Sequence, residues 1–263
     1  MSAGILTLTT DFGFAGPYVA AMKGVLLGMA PDARIVDVCH TISPQNVLEG
    51  AFVLAGIVDY YPENTVHLAV IDPGVGTDRR LIVVSILGHW FVLPDNGLIT
   101  GVSRGKKPDA IWELSNPALF RRDISATFHG RDILAPAAAH LLAGRDPAEL
   151  GPLVDRYITL RNFEPTPDDR GFVGEILFKD TFGNLITNIH ADRLADIPNE
   201  EWGVEIGDTR IEGIRRTYGQ SPTGSLIAVV GSTGWVEVAI VNGDAARQLR
   251  VGPGSTVRIR RGD

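Results

Sequence analysis

The chain has 263 residues, 44% hydrophobic and 21% charged, which suits one large or two moderate globular domains and argues against a disordered chain. A net charge of −7 without a Lys/Arg stripe argues against a nucleic-acid partner, and Arg258, Arg260 and Arg261 read as a solvated strand and tail. A single cysteine, Cys39, rules out an intramolecular disulfide; with no secretory leader and no run near the roughly 18 apolar residues of a membrane span, a soluble, cytoplasmic protein is expected.

Ile5 to Thr10 is a β-branched strand stopping at Asp11-Phe12-Gly13, and Gly16-Pro17 opens a helix carrying Val19, Met22, Leu26 and Leu27 on one side. Ile35 to Val38 reads as a second strand, and Val47 to Tyr61 as a helix ended by Pro62. Thr65 to Ile71 is a nearly continuous apolar run, as in a strand buried on both faces. This alternation predicts a mostly parallel sheet with flanking helices. Leu81 to Leu87 and Trp90 to Leu93 add strands, and Ile133 to Leu142 is an alanine-rich helix. The polar, proline-rich segment 163–171 reads as a linker. Beyond it come short strand candidates at Phe172 to Phe178, Leu185 to Ile189, Val204 to Ile206, Arg210 to Ile214, Leu226 to Val230, Val236 to Val241 and Ser255 to Arg260, the texture of a small barrel or sandwich. The expected organisation is an α/β domain over residues 1–163 and a smaller all-β, barrel-like domain over 172–263.

Ligands of open α/β sheets bind outside the carboxyl ends of the strands. Asp11 and Asp72 stand at two such ends, each followed by glycine within two residues, and for both a turn-forming role stays open beside a functional one. The stretch Asp72-Pro73-Gly74-Val75-Gly76-Thr77-Asp78-Arg79-Arg80 is neither a P-loop nor a dinucleotide fingerprint. His129 precedes the alanine-rich helix; His40, His67, His89, His140 and His190 show no metal-ligand spacing, so no metal site is expected. Asp180-Thr181-Phe182-Gly183-Asn184 pairs an aromatic face with an amide, the combination an adenine needs, although taken alone the stretch reads better as a plain β-turn. Tyr218-Gly219 and Gly231-Ser232-Thr233-Gly234 are similar glycine-punctuated turns.

Together, Thr9-Thr10-Asp11-Phe12-Gly13, Ile71 to Arg80, Pro94-Asp95-Asn96-Gly97, Phe128 to Asp132, Phe182-Gly183-Asn184 and Ser232-Thr233-Gly234 resemble, in order and over nearly the whole chain, the S-adenosylmethionine hydroxide adenosyltransferases, relatives of fluorinase and chlorinase. The resemblance implies a homotrimer that hydrolyses S-adenosyl-L-methionine to adenosine and methionine without a cofactor, its substrate held between the first domain of one subunit and the second domain of its neighbour. It implies that Asp72, Arg79 and His129 activate water, with Arg80 an adjacent alternative to Arg79. Asp11 would hold the ribose hydroxyls, Phe182 and Tyr218 would contact adenine, and Asn184 would read its edge. Asp180, Ser232 and Thr233 would lie near the methionine end, where fluorinase has arginine in place of Thr233.

The sulfonium leaves as a neutral thioether, so the demand on the protein is a competent nucleophile, free water having a pKa of about 15.7. Two rivals stand beside this reading. A halogenase would use the same substrate, but halogenating relatives carry tyrosine at the Asp72 position, and a carboxylate repels halide. A binding-only sensor would have no need of a water-activating set.

Overall fold

The computed structural model describes residues 4–194 and 198–262. The chain divides into two compact units, Met1–Leu160 and Arg161–Asp263.

The first unit contains β1 (Ile5–Thr10), α1 (Tyr18–Met29), β2 (Arg34–Cys39), α2 (Val47–Ala55), β3 (Val66–Val70), β4 (Leu81–Ile86), β5 (His89–Pro94), β6 (Ala110–Glu113) and α3 (Ala135–Leu142). Its sheet runs β2-β1-β3-β5-β4-β6. The β2, β1, β3 and β5 strands are parallel, and β4 runs antiparallel to both β5 and β6. Side chains alternate across each strand, so both faces need cover. Leu6, Leu8 and Leu68 share a cluster with Met22 and Leu26 of α1 and Ala137 and Ala138 of α3. Ile71, Ile82 and Phe91 share another with Leu54 of α2. Every residue of β3 is buried, as its apolar run predicts.

Two helix boundaries differ from the sequence reading. α2 stops at Ala55, capped by Gly56, and a separate 3-10 turn follows at Val58–Tyr60. Glycine followed by two β-branched residues is poor helix material, and that local cost ends the helix before Pro62 can. The alanine-rich helix is preceded by a π-turn, Gly130–Leu134, where Pro136 supplies no N–H to the preceding turn. The four-residue β6 was too short to announce itself by alternation. Among the described residues no helix is long and apolar enough to cross a membrane.

The second unit contains β7 (Thr166–Asp168), β8 (Gly171–Lys179), β9 (Leu185–His190), β10 (Trp202–Ile206), β11 (Thr209–Glu212), β12 (Ile214–Arg215), β13 (Leu226–Val230), β14 (Trp235–Ile240), α4 (Ala245–Leu249) and β15 (Thr256–Arg261). The sheet runs β11-β10-β15-β8-β9-β14-β13-β12, with β7 paired to β8. It curls until β10 and β11 approach β12 and β13, making a nearly closed barrel around Ile176, Val204, Val236 and Val257. Gly213, at φ +72°, breaks the expected 210–214 strand in two. Segment 163–171 is more than a connector, because β7 closes a hairpin onto β8 and Arg260 grips Asp168 Oδ2 at 2.8 and 2.6 Å. Arg261 likewise pairs with Glu201, so two of the three arginines at this end, Arg260 and Arg261, enter ion pairs at the surface, while Arg258 is exposed.

Candidate active site

Asp11 and Asp72 leave the sheet side by side. β1 and β3 are adjacent and parallel, Thr10 lies opposite Val70, and each aspartate follows its strand directly or one residue later. This is the carboxyl edge where open α/β sheets place ligands.

The loop after Asp72 doubles back through short turns: Val75 N–H donates to the Asp72 carbonyl, and Thr77 N–H and Oγ1 both donate to the Gly74 carbonyl. A Cβ on Gly74 would stand 2.9 Å from Arg79 Cδ, so glycine there makes room for the stem of the returning arginine. Arg79 Nε donates to Asp72 Oδ1 at 2.7 Å and to Oδ2 at 2.9 Å, its NH2 also donates to Oδ2, and the same nitrogen donates to His129 Nδ1 at 3.0 Å. The guanidinium therefore joins the carboxylate to the imidazole, with the Arg79 and Asp72 side chains only 11% and 6% exposed. His129 is delivered by the π-turn. Gly130 packs so closely on β3 that a Cβ there would meet Val70 Cγ1 at 3.2 Å, bringing its neighbour to the end of that strand. Arg80, the alternative in this loop, faces elsewhere, donating to buried Asp95 and to the Arg156 carbonyl.

Because Arg79 donates to Nδ1, the His129 ring is neutral with its proton on Nε2. Burial, then the positive charge of Arg79, push its pKa below the ordinary histidine value, outweighing the opposing pull of Asp72 and Asp132. Asp11 is half-buried, and its Oδ2 accepts the Gln45 N–H at 2.8 Å. Its Oδ1 has no hydrogen-bond donor among the described residues.

The second unit assembles a different cluster. At the end of β8, Asp180 Oδ1 accepts from Phe182 N and Asn184 N, and its Oδ2 accepts from Asn184 Nδ2 at 2.9 Å. That fixes the Asn184 amide and leaves its side-chain carbonyl oxygen without a donor among the described residues. The turn requires Gly183, at φ +87°, where a Cβ would lie 2.3 Å from Asp244 Cγ. Phe182 is 77% exposed, a bare aromatic face. Asp180, Phe182, Asn184, Tyr218, Ser232 and Glu237 line a cavity of about 940 Å³. Thr233 sits in the same β13–β14 turn as Ser232 but is outside that lining. A cavity of about 1040 Å³ in this unit is walled by charges such as Arg193, Glu201 and Arg261; Arg261 is bound to Glu201 and Arg193 to Glu164, which makes it the weaker candidate.

Sequence reasoning missed Glu237. Its Oε2 accepts the Tyr218 hydroxyl at 2.8 Å, and Asn184 Nδ2 approaches the same hydroxyl at 3.5 Å. Burial raises the Glu237 pKa, the Tyr218 hydrogen bond pulls it down, and the nearby Asp180 charge pushes it up again. Its signal was a glutamate inside the apolar strand Trp235–Ile240, directly after a Gly-Ser-Thr-Gly turn. Among the described residues no group of three or more His, Cys, Asp or Glu side chains is arranged to hold a metal ion.

Residues 6–151 match the family model of the SAM hydroxide adenosyltransferase N-terminal domain, and residues 174–258 that of the C-terminal domain. The chain is 40% identical to a protein of Salinispora arenicola named (R)-S-adenosyl-L-methionine hydrolase, over 98% of both chains. It is 27% identical to a fluorinase of Nocardia brasiliensis, over 98% of this chain and 97% of the other. The crystal structure of an uncharacterized conserved protein from Thermotoga maritima superposes with a TM-score of 0.88 at 36% identity, covering 98% of this chain and all of that one.

Proposed function

The chain belongs to the SAM hydroxide adenosyltransferase family, and from that premise we propose that it hydrolyses S-adenosyl-L-methionine to adenosine and L-methionine by in-line attack of water at C5′. The observation that carries the reading is the Arg79 guanidinium joining Asp72 to His129. A carboxylate offers about four acceptor positions, so Asp72 keeps capacity for a water while bound to Arg79. The His129 Nε2–H orients that water, and Asp72 takes its proton as the oxygen bonds to C5′. The C5′–S bond breaks with its electron pair passing to sulfur, so methionine departs as a neutral thioether and needs no acid. Holding oxygen and C5′ in line is worth up to roughly 7–11 kcal/mol in favourable intramolecular cases, and the low exposure of the ion pair keeps its charges effective.

In this reading residues 1–163 supply the water-activating set and Asp11 takes the ribose diol, while residues 172–263 supply the adenine and methionine contacts. Phe182 and Tyr218 pack on adenine, the Asn184 carbonyl accepts from its 6-amino group, and Asp180, Ser232 and Thr233 attend the methionine end. Neither set of residues suffices by itself, in keeping with a homotrimer whose sites are shared between subunits. The protein acts in the cytoplasm with no cofactor, on the epimer that the hydrolase relatives' name specifies, R at sulfur. Nothing favours halide over water, since an incoming anion would meet the Asp72 carboxylate.

The test is incubation with each sulfonium epimer in H₂¹⁸O. From the R epimer, adenosine and methionine are expected in equal amounts, with ¹⁸O in the adenosine 5′-hydroxyl, and the S epimer is expected to remain. An unchanged R epimer, or 5′-chloro-5′-deoxyadenosine in high chloride, would overturn the proposal.

A pH dependence follows from the neutral His129. Below its lowered pKa the ring gains a proton at Nδ1, ceases to accept from Arg79 and repels it, so activity is lost on the acid side only. The kcat–pH profile is expected to be flat through neutrality and to fall on the acid side with a midpoint below 6.5. His129→Asn should remove this limb along with most of the rate. An acid midpoint above 6.5, or the same limb in the variant, would assign the titration to another group.

A further inference from the structure

We propose that a chain of hydrogen bonds running from the surface into the core, Lys23–Asp37–His40–Thr10, sets the position of Asp11, making His40 and Thr10 positioning residues for ribose binding; this rests on the reading of Asp11 as the ribose clamp. The chain begins on α1, where Lys23 Nζ donates to Asp37 Oδ2 at 2.6 Å. Asp37 Oδ1 lies 3.0 Å from His40 Nε2, and His40 Nδ1 lies 2.9 Å from Thr10 Oγ1. Thr10 Oγ1 in turn accepts the Phe12 N–H at 3.3 Å. Both Thr10 and His40 are completely buried.

The proton positions follow from the partners. An ionised carboxylate only accepts, so His40 carries its proton on Nε2. Partial burial works against the charge on Asp37, but the Lys23 and His40 hydrogen bonds outweigh it and lower its pKa. With Nε2 committed, Nδ1 accepts the Thr10 hydroxyl proton, and the Thr10 oxygen is left free to accept from the Phe12 N–H. The order of donors is thus the same from Phe12 through Thr10 and His40 to Asp37.

The chain ends on the Asp11–Phe12 peptide. The His40 carbonyl also accepts the Gly13 N–H at 2.7 Å, so of the two successive amides after Asp11 the histidine holds Gly13 directly and Phe12 through Thr10. The Phe14 ring stands edge-on to the imidazole, its centroid 5.3 Å away. From the opposite side the Gln45 N–H grips the Asp11 carboxylate, from a backbone held in the left-handed region at φ +65°. Aspartate has one short side chain, so where its carboxylate stands is decided mainly by its backbone. An apolar pair of similar shape at positions 10 and 40 would fill this core without desolvating any polar group. What that pair could not do is hold the Phe12 amide, and through it the aspartate.

The experiment titrates adenosine and 2′,3′-dideoxyadenosine into the full-length protein by calorimetry. Wild type is expected to prefer adenosine, and Asp11→Asn to erase that preference. If Asp11→Asn keeps it, the clamp reading is wrong and the positioning role falls with it, while hydrolysis itself is unaffected as a conclusion. If Asp11→Asn erases it, Thr10→Val decides. Adenosine affinity should fall about tenfold, the size of effect expected for losing one or two buried hydrogen bonds, while dideoxyadenosine affinity holds. KM should rise by a similar factor with kcat nearly unchanged, His40→Leu should behave alike, and Thr10→Ser should restore wild-type values. Full discrimination retained in Thr10→Val, or equal loss for both nucleosides, would overturn the proposal. Should His40→Leu fail to fold, the isosteric Thr10→Val and its serine rescue settle the matter alone.

Discussion

Asp72→Asn is expected to cut the single-turnover rate of hydrolysis by about a thousandfold, within the span of 10²–10⁴ usual for a positioned base, while ligand affinity changes only a few-fold. The substitution keeps the shape of the side chain and removes the charge and one acceptor atom. Arg79 now donates to both carboxylate oxygens and to His129 Nδ1. An amide in place of the carboxylate presents an NH₂ group to one of those donors, so the guanidinium loses a hydrogen bond together with its counter-charge. Water then has no group to take its proton. The nucleoside contacts proposed for Asp11, Phe182 and Asn184 are untouched, which is why rate and affinity should separate. Rapid-quench kinetics with calorimetric titration of the unreacted substrate measures both quantities in one variant. Unaltered turnover would move the base to another residue.

Asp11→Ala should give the opposite pattern, with affinity for adenosine weakened about a hundredfold or more. Two ribose hydroxyls donating to one carboxylate make two charge-assisted hydrogen bonds, each worth about 1.5–3 kcal/mol. The truncation also strands the Gln45 N–H, which loses its acceptor. Once substrate saturates the variant, kcat should fall far less than in Asp72→Asn, because the Asp72–Arg79–His129 set does not depend on Asp11 for any of its hydrogen bonds. Wild-type affinity by calorimetry would refute the ribose role.

These two aspartates show how much of the site can be read from residue order. Both end strands whose β-branched, apolar character is written locally, and parallel strands bring their carboxyl ends to one edge whatever the details of packing. Asp72 and Asp11 were therefore foreseeable at one edge of the sheet once the alternation of strand and helix was recognised, whereas their adjacency follows from the strand order β2-β1-β3. Arg79 was foreseeable only to within one residue. Two successive arginines leave a loop with similar local preferences, and the choice between Asp72 and Asp95 as partner depends on turns at Gly74 and Gly76 that no periodicity describes. Glu237 and His40 were missed for a different reason: even where a glutamate inside an apolar strand stands out, the role of each lies in partners 19 and 30 positions away.

The α/β and all-β halves, most strands in their places along the chain, the two aspartates at strand ends and the histidine before the alanine-rich helix could all be read from residue order alone. Period-2 and period-3.6 patterns, glycine and proline are local physical properties of the chain and survive any later packing. Long-range packing selected Arg79 over Arg80 as the partner of Asp72, gave the proline-rich segment a strand, curled the second sheet nearly shut and set a buried histidine behind the Asp11 turn. Those outcomes are set by distance between residues far apart in the chain, where packing and hydrogen-bond geometry select one partner among several of equal chemical type.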